Sequence, residues 1–127
     1  MVLVATTNSS SSSYVLRPED YYRNFKQSIK SKETFNSYNQ MLKVFMRYKG
    51  IDKNKFDELI EGKDIRIIEA DIIDFIISLK EKHCSLHSQQ VYLSALIHFY
   101  SINDVIVRQK KIAKFLSNDD WKYTRNA

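Results

Sequence analysis

One cysteine, one proline and two glycines are very few for a chain of 127 residues, and each scarcity excludes something. Cys84 has no partner for an internal disulfide, and without a CxxC pair a metal site would have to be assembled from His83, His87, His98 and carboxylates, so neither metal nor cofactor is expected. Breakers are confined to Pro18, Gly50 and Gly62, and no segment alternates apolar and polar residues between turns. A sheet is therefore not expected, and an all-α domain is. No apolar run approaches the roughly 20 residues of a membrane span, and Val2 to Ala5 is too short and lacks the basic flank of a signal peptide. The chain is expected to be intracellular, in the cytoplasm, with no membrane partner.

A further scarcity is local. Ser85 to Ile102, SLHSQQVYLSALIHFYSI, contains no Asp, Glu, Lys or Arg although these make up 28% of the chain, which predicts a central, largely buried helix. Helical spacing places Val91, Tyr92, Ala95, Phe99 and Ile102 in one sector towards a core, with His87, Gln90, Ser94, His98 and Ser101 opposite. Ser85, His87, Ser88, Gln89 and Gln90 surround its first turn, whose backbone N–H groups lack partners within the helix and suit an anion such as a phosphate.

What is present in excess is positive charge, with 20 Lys+Arg against 15 Asp+Glu for a formal +5. That balance favours polyanions, though a soluble basic surface would show it too. Residues 1–16, with five consecutive serines, read as a disordered tail, residues 17–117 as one domain, and residues 118–127, with Trp121 and Tyr123, as a linker or trailing end.

Five to six helices are expected within the domain. Pro18 opens the first, to Ser28, and Ser31 caps a second over Lys32 to Tyr48, stopped at Gly50. Phe35, Tyr38, Met41, Leu42 and Phe45 share one side of it, and Lys32, Asn36, Asn39, Gln40, Lys43 and Arg47 the other. Such a stripe of cations and amides suits a DNA groove, and equally a solvated face. A short helix over Asn54 to Glu61 ends at Gly62. The run Glu69 to Lys82 turns Ile72, Ile73, Phe75, Ile76 and Leu79 inward and Asp71, Asp74, Ser78 and Glu81 outward. Asn103 caps a last helix over Val105 to Leu116, where Arg108, Lys110, Lys111 and Lys114 either touch phosphates or face water. The predicted core is Phe35, Tyr38, Leu42, Phe45, Ile72, Phe75, Ile76, Leu79, Val91, Ala95, Phe99 and Phe115.

The order of elements, with Thr34-Phe35-x-x-Tyr38-x-x-x-Leu42-x-x-Phe45, Glu69-Ala70-Asp71-Ile72-x-x-Phe75-Ile76, Ser85-x-x-Ser88 and Tyr92-Leu93-Ser94-Ala95-Leu96-x-x-Phe99-Tyr100, resembles the core-binding domain of tyrosine recombinases, the phage-type integrases. The resemblance implies a small helical bundle of the SAM-like type that grips duplex DNA, alone or beside other protomers, while a separate catalytic domain closes on the opposite side. Lys32 to Tyr48 and the front of Ser85 to Ile102 would approach the major groove. Two positions depart from the family pattern. Ile97 stands where a basic residue often follows the LSAL run, and Ile68 where a Ser or Thr cap usually precedes the EAD run, which predicts a late helix start.

The resemblance implies a non-catalytic DNA-binding module of a recombinase. Lys32, Lys43 and Arg47 would neutralise phosphates, and Asn36, Asn39, Gln40, Ser85, His87, Ser88 and Gln90 would bond phosphates or base edges. Tyr123, with only Lys122 and Arg125 nearby, lacks the cluster of donors that phosphodiester transesterification needs. The alternative is a helical protein-interaction module that docks a partner on Val44, Tyr48 and the edge of the central helix.

Overall fold

Each long helix starts where a side chain can accept one of its free N–H groups. In the computed structural model, which describes residues 17–117, helix α1 spans Pro18–Ser28 and α2 spans Lys32–Tyr48. Helix α3 spans Ile65–Glu81, α4 Leu86–Ile102 and α5 Gln109–Ala113, and a single 3-10 turn, Phe56–Leu59, lies between α2 and α3. No strand occurs among the described residues, and the fold is all-α. The expected tails, 1–16 and 118–127, with Trp121 and Tyr123, lie outside the described residues.

Local signals account for α1 and α2. Pro18 occupies the first turn of α1, and the Asp20 carboxylate accepts the Arg17 N–H at 3.0 Å, a bond that, ahead of the Arg17 side chain, lowers the carboxyl's pKa. Ser31 Oγ accepts from the Thr34 N–H at 3.2 Å, and α2 gives way to Gly50 at φ 72°, a left-handed position that costs a residue with a Cβ more.

Three boundaries differ from expectation. Helix α3 begins at Ile65, four residues before Glu69, because the Asp64 carboxylate accepts the Ile67 N–H at 3.0 Å and makes a cap at Ile68 unnecessary. Asp64, Ile65 and Arg66, between Gly62 and the expected start, thereby form the cap and the beginning of the first turn. The expected helix over 54–61 is reduced to its middle, since a turn closed by the Lys55 N–H on the Asp52 carbonyl at 2.9 Å occupies the front. The last helix shrinks to α5. Asn103 ends α4 instead of starting α5, and its amide donates to the Phe99 and Tyr21 carbonyls at 2.9 and 3.2 Å.

Helix α4 touches α1, α2 and α3, so it is the centre of the bundle. It runs antiparallel to α2: Tyr38, early in α2, meets His98, late in α4, while Tyr48 and Tyr92 both flank Phe75 of α3. Burial is complete or nearly so at Leu42, Phe45, Ile72, Phe75, Ile76, Leu79, Ala95 and Phe99, as the spacing predicts. Phe35, Tyr38 and Val91 are only half-buried, and Phe115 is exposed, its place taken by Ile112 of α5.

The buried face of α4 is rotated by less than a quarter-turn from the expected one. Leu93, Leu96 and Tyr100 are enclosed, while Ile102 is exposed and Tyr92 half-buried. An uncharged helix with apolar residues nearly all round carries little sequence signal of which face is innermost. His98, on the other side of α4, is half-buried for a different reason, because α1 and α2 cover it. Its ring lies 5.9 Å from that of Phe25, and Nε2 is 2.7 Å from Ser28 Oγ.

Candidate nucleic-acid interface

The α2 stripe is real but narrower than its spacing suggests. Lys32, Asn36, Gln40 and Arg47 are exposed, whereas Asn39 and Lys43 are half-buried. Met46, one heptad beyond Asn39 and therefore in nearly the same sector, is 1% exposed, which extends the core up to the edge of the stripe. Across that edge lies Tyr22 of α1. Its hydroxyl donates to Asn39 Oδ1 at 3.0 Å, so Asn39 keeps its amide N–H groups and one lone pair of Oδ1 for a ligand. Burial raises the pKa of that tyrosine hydroxyl, which holds it in the donor form. The Tyr22 ring stacks on Phe56 at 4.7 Å, and Lys43 Nζ lies 5.7 and 5.8 Å from the two ring centroids, within cation–π range.

At the front of α4, Ser85, His87 and Gln90 are exposed and Ser88 is half-buried. Ser85 Oγ accepts the Ser88 N–H at 3.1 Å and donates to Ser88 Oγ at 3.2 Å. Gln89 is unavailable to any ligand. It is fully buried, donates to the Cys84 carbonyl and Ser117 Oγ at 2.8 Å, and accepts the Ser117 N–H at 3.0 Å. Because α2 and α4 are antiparallel, Ser85 to Gln90 lie at the Arg47 end of α2, and Lys32 is roughly 20 Å away along the helix axis. No hydrogen bond or ion pair among the described residues joins the two groups.

Tertiary packing sorts the cations. Lys49 and Lys63 bind the two oxygens of Asp71 at 2.8 and 3.0 Å, which turns Asp71 inward instead of outward as expected. Ser78 is likewise half-buried, its hydroxyl donating to the Phe75 carbonyl, so Asp74 and Glu81 remain as the exposed acids of that face. Glu69, fully buried, accepts from the Arg108 guanidinium at 2.7 Å, from the Arg108 backbone N–H at 2.7 Å and from Lys111 at 3.5 Å. The Arg108 hydrogen bonds outweigh the desolvation that opposes them and hold the Glu69 carboxyl at about 2. Of the four basic residues from 108 to 114, only Lys110 and Lys114 are exposed without an ion pair among the described residues.

Sequence reasoning missed residues 51–55. With Lys43 and Arg47 they enclose an open cleft of about 710 Å³, lined also by Ile51, Asp52, Lys53, Asn54 and Lys55. The density of charge and amide in Asp52-Lys53-Asn54-Lys55 was the available signal, partly obscured by the expectation of a helix from Asn54.

Among the described residues no group of three or more His, Cys, Asp or Glu is placed to hold a metal ion, and no helix is long and apolar enough to cross a membrane. The nearest approach to catalytic geometry is Ser28 with His98. The Ser28 hydroxyl donates to the Phe25 carbonyl at 2.8 Å, and among the described residues no carboxylate is hydrogen-bonded to the imidazole, so the pair lacks the third group of a catalytic triad there. Comparison with protein-family models, with curated proteins and with solved structures gave no match.

Proposed function

We propose that residues 17–117 form a DNA-binding module of the tyrosine-recombinase type, which grips duplex DNA with α2 and the front of α4 and carries out no strand cleavage itself. One observation supports it most. Lys32, Asn36, Gln40 and Arg47 form an exposed stripe in which neither Lys32 nor Arg47 is ion-paired among the described residues, while four other cations, Lys49, Lys63, Arg108 and Lys111, are paired with Asp71 and Glu69. Unpaired cations release counterions from a polyanion; paired ones have already spent their charge.

The reading assigns Lys32, Lys43 and Arg47 to phosphates, and Asn36, Gln40 and the amide N–H groups of Asn39 to phosphates or base edges. Arg47 and the Ser85 to Gln90 turn would share one stretch of duplex, and Lys32 another. Asp74 and Glu81, on exposed positions of α3, would face away. The catalytic domain such a module serves would be a separate partner.

Fluorescence anisotropy with duplex DNA at several salt concentrations tests this. The Lys43→Ala/Arg47→Ala variant should flatten the plot of log affinity against log salt by about two. Asp74→Lys should not weaken binding, and supercoiled plasmid should keep its topology. Binding that ignores salt would instead favour a protein-interaction role. Of the residues named for that role, Tyr48 is 44% exposed, but its ring packs on Phe75, its hydroxyl reaches the Asp74 carbonyl, and Val44 packs against the core.

A further inference from the structure

We infer that the cleft between the C-terminal half of α2 and residues 51–55 is a seat for the phosphodiester backbone of duplex DNA, formed by Lys43, Arg47, Lys53, Asn54 and Lys55. This rests on the DNA-binding reading and extends it to a loop outside both recognition helices.

Three features carry the inference. The first is uncompensated charge in a concave site. Four cations line the cleft against one carboxylate, Asp52, and none of the four makes an ion pair among the described residues. Lys49 and Lys63, close by in the chain, are both paired with Asp71. A recess of one charge sign concentrates field and attracts anions more than the same charges spread over a convex surface.

The second is an anchored turn under exposed side chains. The Ile51 N–H donates to the Met46 carbonyl at 2.9 Å, Ile51 packs against the core, and Phe56 is 4% exposed. Both ends of the turn are therefore anchored, and the Lys55 N–H to Asp52 carbonyl bond closes it. Lys53, Asn54 and Lys55 project from that fixed turn into solvent. Lys43 is held on the opposite wall by the Tyr22 and Phe56 rings. Little backbone ordering remains to be done on binding.

The third is what the lining lacks. Phe56 is buried and Tyr22 is stacked on it beneath Lys43, so no free aromatic face lines the cleft for a base to stack on. Four cations with one amide suit the negative charge and acceptor oxygens of a phosphate backbone. Lys43 and Arg47 belong to the stripe as well, which makes the cleft continuous with the face proposed to meet the duplex.

The test uses the full 127-residue chain, its Lys53→Ala/Lys55→Ala variant and Asp52→Asn. Affinity for a duplex is read by anisotropy from 50 to 200 mM salt, and 15N–1H spectra are recorded with inorganic phosphate alone. All three substituted side chains are exposed and form no hydrogen bond, ion pair or ring contact among the described residues, so melting temperatures should be unchanged. The double variant should lose about two from the salt slope, making its deficit roughly tenfold larger at 50 mM than at 200 mM. Asp52→Asn should bind more tightly, and phosphate should shift the amides of residues 53–55. If the chain binds DNA but the double variant keeps the wild-type slope and Asp52→Asn is neutral, the inference is wrong and the DNA reading survives. If the chain shows no affinity for duplex, both fall, and amide shifts with phosphate alone would then mark a site for free phosphate and not for a DNA backbone.

Discussion

Arg108→Ala removes the guanidinium that serves the only fully buried carboxylate among the described residues, and its cost follows from an asymmetry in the pair. The Arg108 side chain is 60% exposed and Glu69 is 0% exposed, so Arg108 alone would be content in water while Glu69 would not. Breaking a buried pair by removing one partner costs about 3 to 5 kcal/mol because a charge is left without compensation. Here the Arg108 backbone N–H and Lys111 remain on the carboxylate. The low end, about 3 kcal/mol, is therefore expected, a large part of the roughly 5 to 15 kcal/mol that holds a domain together.

The pH dependence provides the control. The folded carboxyl is lowered from 4.5 to about 2, so its contribution is complete above 4.5 and is lost as pH falls towards 2. In the variant that depression is largely gone, and the two proteins should converge as pH approaches 2. Urea unfolding at a series of pH values from 7 to 2.5 measures this. A stability gap that stays constant through the window would refute the electrostatic account and leave Arg108 as a packing residue; no gap at pH 7 would refute the pair altogether.

Phe45→Ala empties a site with 0% exposure, its ring 5.2 Å from Phe75, and should cost about 3 to 5 kcal/mol. A melting temperature lowered by less than about 10 °C would show that the core there can collapse around the loss. His98, whose pKa burial lowers from 6.5, should make the fold lose stability as pH falls below 6.5, because the unfolded chain then binds the proton more readily. His98→Gln should flatten the stability profile over that range, and an unaltered profile would show that some other group titrates.

Much of the architecture was legible because it is written locally. Ser31 and Ser85 reach only three residues ahead to the N–H groups they accept, and Gly50 and Gly62, at φ 72° and 76°, mark stops through their own conformational freedom. The bounds of α1 and α2 followed from such signals. The Asp64 cap is equally local, but the expected run begins only at Glu69, so the start of α3 differs; the apolar faces of α2 and α3 were legible because their periodicity is strong.

The proposed site was legible only in part. The sequence by itself determined that helices form, that α2 has an apolar side and a side of cations and amides, and that the chain carries more positive than negative charge. Which cations are free is a tertiary property. Lys49 meets Asp71 across 22 positions, Arg108 meets Glu69 across 39, and Tyr22 reaches Asn39 across 17. Whether a lysine is neutralised depends on what lies within about 4 Å of its nitrogen, and helical spacing says nothing about neighbours that arrive from another helix. The same reason explains His98, placed on the outer stripe by its spacing and turned inward once α1 supplied Ser28 and Phe25.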